Sequence, residues 1–231
     1  MAGCRCVNGD RPVRQDDGVP DLSTPTRKPD RYLADRAALD DLLDAMPVGV
    51  LSTVVDGEPW SVPLLVARDG DQVLLHGSTG AGALRHVLTG APVTLTVVAL
   101  DGLVVAETAF DSSANYRSAV LRGTTVELGQ EEATGALERL TDRLLPGRTA
   151  EVRSSTGKEL RATSCLALPI VDGSWLLKAR TGGTDPAEDP TVWTGVVPLA
   201  LTAGTPQPTP GTTAPEPASV TATRAAYPSP V

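Results

Sequence analysis

Apolar and polar positions alternate with a period of two over most of the chain between residues 48 and 180, and this predicts strands. The runs 48–55, 60–67, 72–76, 93–100, 103–110, 165–171 and 174–180 are rich in Val, Leu and Thr. Four Asp-Gly pairs stand between such runs: Asp56-Gly57, Asp69-Gly70, Asp101-Gly102 and Asp172-Gly173. A two-residue type I′ hairpin needs positive φ at both central positions, which Asp tolerates and Gly favours, so each pair predicts a hairpin. Hairpins make antiparallel neighbours and exclude a doubly wound parallel sheet. About six or seven strands joined this way predict a sheet that curls into a barrel to protect its edges.

A period near 3.6 appears in three places. Asp35 is placed to cap a helix whose Leu39, Leu42, Leu43 and Met46 share one face before Pro47 and Gly49 end it. A short helix is predicted over 83–88, and a longer one over 130–144 with Ala133, Leu137, Leu140 and Leu144 as its stripe. The fold class is therefore mainly β (β-rich α+β), antiparallel, with two or three flanking helices.

Composition sets the boundaries. Residues 1–29 are polar and without period, and 203–231 are mostly Thr, Ala and Pro; both are expected to be disordered tails around a single domain over 30–202. A formal net charge of −8 and 3% aromatic residues argue against nucleic-acid and acidic-membrane partners. No run approaches the ~20 apolar residues of a membrane helix, so a cytoplasmic protein is expected. Cys4 and Cys6 fall in the polar leader and Cys165 in an apolar run; with two histidines and no CxxC pair, neither a zinc set nor a disulfide framework is predicted.

Two segments carry candidate chemistry. His76-Gly77-Ser78-Thr79-Gly80-Ala81-Gly82 joins a strand to a helix, where backbone N–H groups and the Ser78 and Thr79 hydroxyls suit a phosphate; a plain glycine connector explains the same residues. Arg85 stands where a dinucleotide fingerprint needs its third glycine, and no glycine-lysine-serine/threonine ending exists, so neither common phosphate loop is present. Asn115-Tyr116-Arg117-Ser118 leads into an apolar run, offering an Arg fork and hydroxyls; a strand start with a solvated Arg117 is the alternative.

In order and spacing, the segments GVLSTVVDGEPWSVPLLV, LLHGSTGAGALRHV and SSANYRSAVLRG resemble the pyridoxamine 5′-phosphate oxidase-like flavin-nucleotide-binding family, on its nitroimidazole-resistance (5-nitroimidazole reductase-like) branch. The resemblance continues through SCLALPI and TVWTGVVPL. It implies a split β-barrel, a homodimer and FMN in a groove at the subunit interface. His76, Gly77 and Ser78 would lie beside the cofactor, Tyr116, Arg117 and Ser118 would hold its phosphate or ribityl chain, and Ser61, Val62 and Pro63 would run along the ring. Trp193 would pack across the dimer, and His76 would be the catalytic candidate, with His86 on the surface. The chain departs from the branch at Ala81-Gly82 and Asp111-Ser112. An FMN-dependent oxidoreductase with a nicotinamide donor and a small-molecule substrate is the expected function. A flavin-binding sensor or storage protein without turnover is the alternative, followed by a haem-handling relative with His76 or His86 as axial ligand.

Overall fold

The computed structural model describes residues 28–228; Cys4, Cys6 and most of the N-terminal leader lie outside them. Ten antiparallel strands form one open sheet, in the order β1-β9-β6-β5-β2-β3-β4-β8-β7, with β10 on the far end of β5. The strands are β1 (Tyr32–Leu33), β2 (Val48–Val55), β3 (Glu58–Asp69), β4 (Gln72–Ser78), β5 (Pro92–Val105), β6 (Ser113–Thr124), β7 (Val126–Glu127), β8 (Thr163–Pro169), β9 (Trp175–Arg180) and β10 (Gly195–Pro198). The antiparallel, mainly β expectation holds, and the sheet is that of a split barrel.

The split lies in β3. Its first part pairs with β2, from Glu58↔Val55 to Leu65↔Val48, and its last four residues pair with β4, from Val66↔Leu75 to Asp69↔Gln72. Beyond Val66 the two strands part, and β4 continues along β8 to Ser78↔Thr163.

The inward residues of both halves meet in the main core, where Leu51, Val66, Leu75, Leu95, Leu121, Leu166, Leu168 and Leu177 are all but inaccessible. Helix α1 (Arg36–Ala45) adds Leu39, Leu42 and Leu43, and starts where the Asp35 carboxylate accepts from the backbone N–H groups of Ala37 and Ala38. Helix α2 (Gly82–Val87) adds Leu84 and Val87. Helix α3 (Gln130–Leu144) lies on the other face of the β4–β8 half, packing Ala136 and Leu140 on Ala67, Leu74, Cys165 and Ala167. All three helices fall where the periodicity placed them, within a residue or two.

Only one of the four Asp-Gly pairs is a type I′ hairpin. Asp56 and Gly57 have φ of 52° and 83°, the positive pair that turn requires. Between β3 and β4 the central residues are Gly70 and Asp71, with positive φ at Gly70 only, so that turn is shifted by one position. At Asp172-Gly173 only Gly173 is positive, and the strands on either side pair with different neighbours: β8 with β4 and β7, β9 with β6 and β1.

Asp101-Gly102 is not a turn at all. β5 runs straight through it, with Asp101 as the extra residue of a bulge between Leu100↔Tyr116 and Gly102↔Asn115. The turn into β6 comes later, over 106–112. Glycine is favoured at 102 by the close approach of β10, because a Cβ there would stand a tight 3.0 Å from the Val197 carbonyl oxygen.

The expectation of a structureless tail from residue 203 is also corrected. Helix α4 (Ala218–Ala226) carries in its first turn a buried Ser219, whose N–H and hydroxyl both donate to the Glu151 carboxylate at 2.9 and 2.5 Å. The Ala203 N–H donates to the Tyr227 carbonyl at 2.8 Å, which ties the segment into a loop.

Candidate functional site

The β3–β4 ladder ends at Val66↔Leu75, which leaves Ser61, Val62 and Pro63 on the β3 side of the split and His76, Gly77 and Ser78 on the β4 side; this split is the candidate cleft. Successive strand residues face opposite ways. Ser61, Pro63 and Leu65 are exposed on the outer face, while Val62 and Leu64 pack on the main core. His76 shares the outer face with Leu74. Its register partner is the buried Cys165, and Leu65 would oppose it were the β3–β4 ladder continued. Neither 61–65 nor 76–78 contains a carboxylate.

His76 is half-buried, and its Nδ1 is enclosed without a hydrogen-bond partner. Burial pushes its pKa below the ordinary value, so the ring is neutral at pH 7. The Cys165 thiol beside it is pushed up by burial and stays protonated. Gly77 faces inward, where a Cβ would meet the buried Leu84 of α2 at 2.2 Å; its missing side chain is explained by packing.

The glycine loop is less open to an anion than its composition suggests. The Thr79 N–H donates to the Ala162 carbonyl, the Gly80 N–H to the Ser78 hydroxyl, and the Ala81 N–H to the Ser78 carbonyl. Three successive donors of the expected cradle are thus already used within the chain. His86 is tied down too, its Nε2 lying 2.9 Å from the Val54 carbonyl.

Tyr116, Arg117 and Ser118 do not join this cleft within one chain. They lie on β6, three places from β3, roughly 14 Å at ~4.8 Å per strand. Nor do they act together, because Ser118 and Tyr116 face outward and Arg117 faces the other way. The Arg117 guanidinium grips Asp101 at 2.8 and 3.0 Å, and that bond raises its pKa further. The pair lines a cavity of about 300 Å³ with Asp44, Arg143, Leu201 and Tyr227. The bulge at Asp101 supplies Arg117 with a permanent partner, so an Arg117–Ser118 clamp on one phosphate is not available in a single subunit.

The residue the motif reading passed over is Arg122. Counting by two from Tyr116 gives Ser118, Val120 and Arg122 on the outer face, and register places Arg122 in a cross-strand row with Thr94, Ser52 and Ser61. Ser52 and Ser61 share a 2.8 Å hydrogen bond between their hydroxyls. Around this row the outer face is apolar and open: Val48, Val50, Leu65, Val98 and Leu100 are each between 36% and 50% exposed. Trp193 is 62% exposed, with its ring folded over Gly195 of its own chain.

Among the described residues no three His, Cys, Asp or Glu cluster in an arrangement that could hold a metal ion, and no helix is long and apolar enough to cross a membrane.

These features have counterparts in known proteins. Over 84% of its length the chain is similar to 97% of a FAD- and haem-binding protein from Mycobacterium smegmatis, with 45% identity and a TM-score of 0.81. It is similar over 87% of its length to 96% of the flavocytochrome Anf3 from Azotobacter vinelandii, with 29% identity and a TM-score of 0.80. A 5-nitroimidazole antibiotic resistance protein from Bacteroides thetaiotaomicron shares the fold at 19% identity and a TM-score of 0.53, with 64% of this chain and 85% of that one covered. No functionally curated protein matches the chain. Residues 35–175, from the cap of α1 to the start of β9 and including every strand that borders the cleft, match the model described as pyridoxamine 5′-phosphate oxidase. With its split sheet and the cleft at the parting of β3 and β4, the chain belongs to the pyridoxamine 5′-phosphate oxidase family.

Proposed function

We propose that the chain is a flavin-binding oxidoreductase that holds its flavin in the cleft between β3 and β4. What supports this reading is the split itself: the β3–β4 pairing stops at Val66↔Leu75, so residues 61–63 and 76–78 flank the break without being paired to each other. An isoalloxazine ring is flat and uncharged with a polar edge. The exposed Pro63 and Leu65 supply an apolar bed, the Ser61 and Ser78 hydroxyls supply hydrogen bonds, and segments 61–65 and 76–78, which contain no carboxylate, suit a ring that gains negative charge on reduction. FAD is the flavin proposed in place of FMN, because the M. smegmatis relative is a FAD-binding protein. A bound flavin supplies hydride or single-electron chemistry, and the protein supplies position and shielding from water. A nicotinamide donor and a small electrophile are the substrates that scheme calls for.

The homodimer is part of this proposal. Val48, Val50, Val98 and Leu100 form a contiguous apolar surface on the outer face of β2 and β5, and a second copy would cover it. The same contact would bring a partner subunit's β6 towards the cleft, and with it the hydroxyls that one chain keeps at a distance.

A second reading adds haem, since the M. smegmatis relative is a FAD- and haem-binding protein and the A. vinelandii one is a flavocytochrome. His76 fits an axial ligand better than His86. It is neutral, it is enclosed, and its Nδ1 has no partner, whereas the Nε2 of His86 is engaged with Val54. In this reading His76→Ala removes the Soret band of the purified protein while the flavin bands remain, and His86→Ala leaves both. A Soret band undiminished in His76→Ala contradicts the ligand assignment; its absence from the unsubstituted protein supplied with haemin contradicts the haem reading.

A further inference from the structure

Across the ends of β2, β5 and β6 lies a groove of about 760 Å³, of a size that takes a nucleotide. Its polar lining is Ser52, Thr53, Thr94, Thr124 and Arg122, with no carboxylate, on a chain that carries 28 acidic against 20 basic residues. Several arginines of the sheet and helices are matched with acids, Arg117 with Asp101, Arg68 with Asp44 and Arg139 with Asp69, while the Arg180 guanidinium donates to the Ala114 carbonyl and the Asn115 amide oxygen. Arg122 differs. Its Nε is buried without a hydrogen-bond partner, in a groove that offers it hydroxyls and no counter-charge. A buried Nε–H without a partner carries its desolvation cost, and the planar fork of the same guanidinium matches two phosphate oxygens.

Ser52, Thr94 and Arg122 line this groove, and Ser61, the next member of the same cross-strand row, stands beside Ser52 on β3. The glycine loop, whose Thr79, Gly80 and Ala81 donors are used internally, offers less. We infer that Arg122 is the anion-recognition residue for the phosphate end of the bound flavin nucleotide. The ring rests at Ser61, and the chain of hydroxyls leads the polar tail to Arg122. This rests on the flavin reading above, and it assigns the phosphate to a residue outside the glycine loop and the Tyr116–Ser118 segment.

The test is calorimetric titration of FAD, riboflavin and inorganic pyrophosphate into the full-length protein and its Arg122→Gln and Arg122→Ala variants. Both variants should melt no lower than the unsubstituted protein, because among the described residues the Arg122 side chain makes no hydrogen bond or ion pair that they would break and its Nε is unpartnered. FAD affinity should fall at least tenfold in both, while riboflavin, which has no phosphate, should bind all three proteins alike. Equal FAD affinity in the three overturns the inference. If the unsubstituted protein binds no flavin, the flavin reading fails by itself. The Arg122 site is then decided by pyrophosphate: binding lost in Arg122→Gln supports it, and no binding to the unsubstituted protein overturns it.

Discussion

Val50→Asp should turn the dimer into a monomer and empty the cleft of flavin. Val50 stands at the centre of the outer face, in a row with Pro63, Thr96, Val120 and Leu176. In an isolated subunit its side chain meets solvent, so a carboxylate there costs the fold little, and the far-ultraviolet circular dichroism should not change. In the two-fold dimer proposed above the same position would be buried, and the substitution would place two like charges in one apolar interface. An uncompensated buried charge costs about 3–5 kcal/mol, so the dissociation constant should rise more than a hundredfold. Light scattering at micromolar concentration checks it. A Val50→Asp protein that remains dimeric shows that this face is not the interface.

Ending the chain at Thr202 should lower the melting temperature by about 5 °C or more, given the ~2–4 °C per kcal/mol usual for a protein of this size. The removed segment includes Ser219, which is 1% exposed, and Tyr227, which walls the Arg117–Asp101 cavity. Its docking depends on pH in a definite direction. The hydrogen bonds from Ser219 hold the Glu151 carboxyl below its ordinary value of 4.5. The contact is therefore at full strength above that value and is lost as pH falls through the lower folded-state value. The stability gap between full-length and shortened chains should narrow on acidification. A single substitution, Ser219→Ala, should reproduce part of the effect. Identical melting curves at neutral pH for all three proteins would show that the segment does not dock.

That tail marks one limit of what the sequence conveys. Its Pro, Thr and Ala content says correctly that it has no core of its own. What orders it is one carboxylate, Glu151, some seventy residues away, and no local pattern announces such a partner. The helices were legible because they satisfy two rules at once: Asp35 caps a stretch whose Leu39, Leu42 and Leu43 repeat at helical spacing. Asp-Gly was a weaker guide. The dipeptide states that the backbone is able to turn, and at Asp56-Gly57 it does. At Asp101-Gly102 the same residues make a bulge, and β10 approaches closely there.

The site was legible in part. The family pattern names residues that flank the split between β3 and β4, while the motif around Tyr116 reads as a string of neighbours. A strand divides neighbours between two faces. Applied to 116–122, that alternation separates Arg117 from Ser118 and joins Ser118 to Arg122, so the second arginine was within reach of the sequence. The partnership of Arg117 with Asp101 was not, since it depends on the bulge.

The central claim is that this chain holds a flavin, and the absorption spectrum of the protein as purified tests it most directly. The account predicts a yellow protein with flavin bands that releases FAD when denatured. A colourless protein that acquires no flavin spectrum after incubation with excess FAD would contradict it.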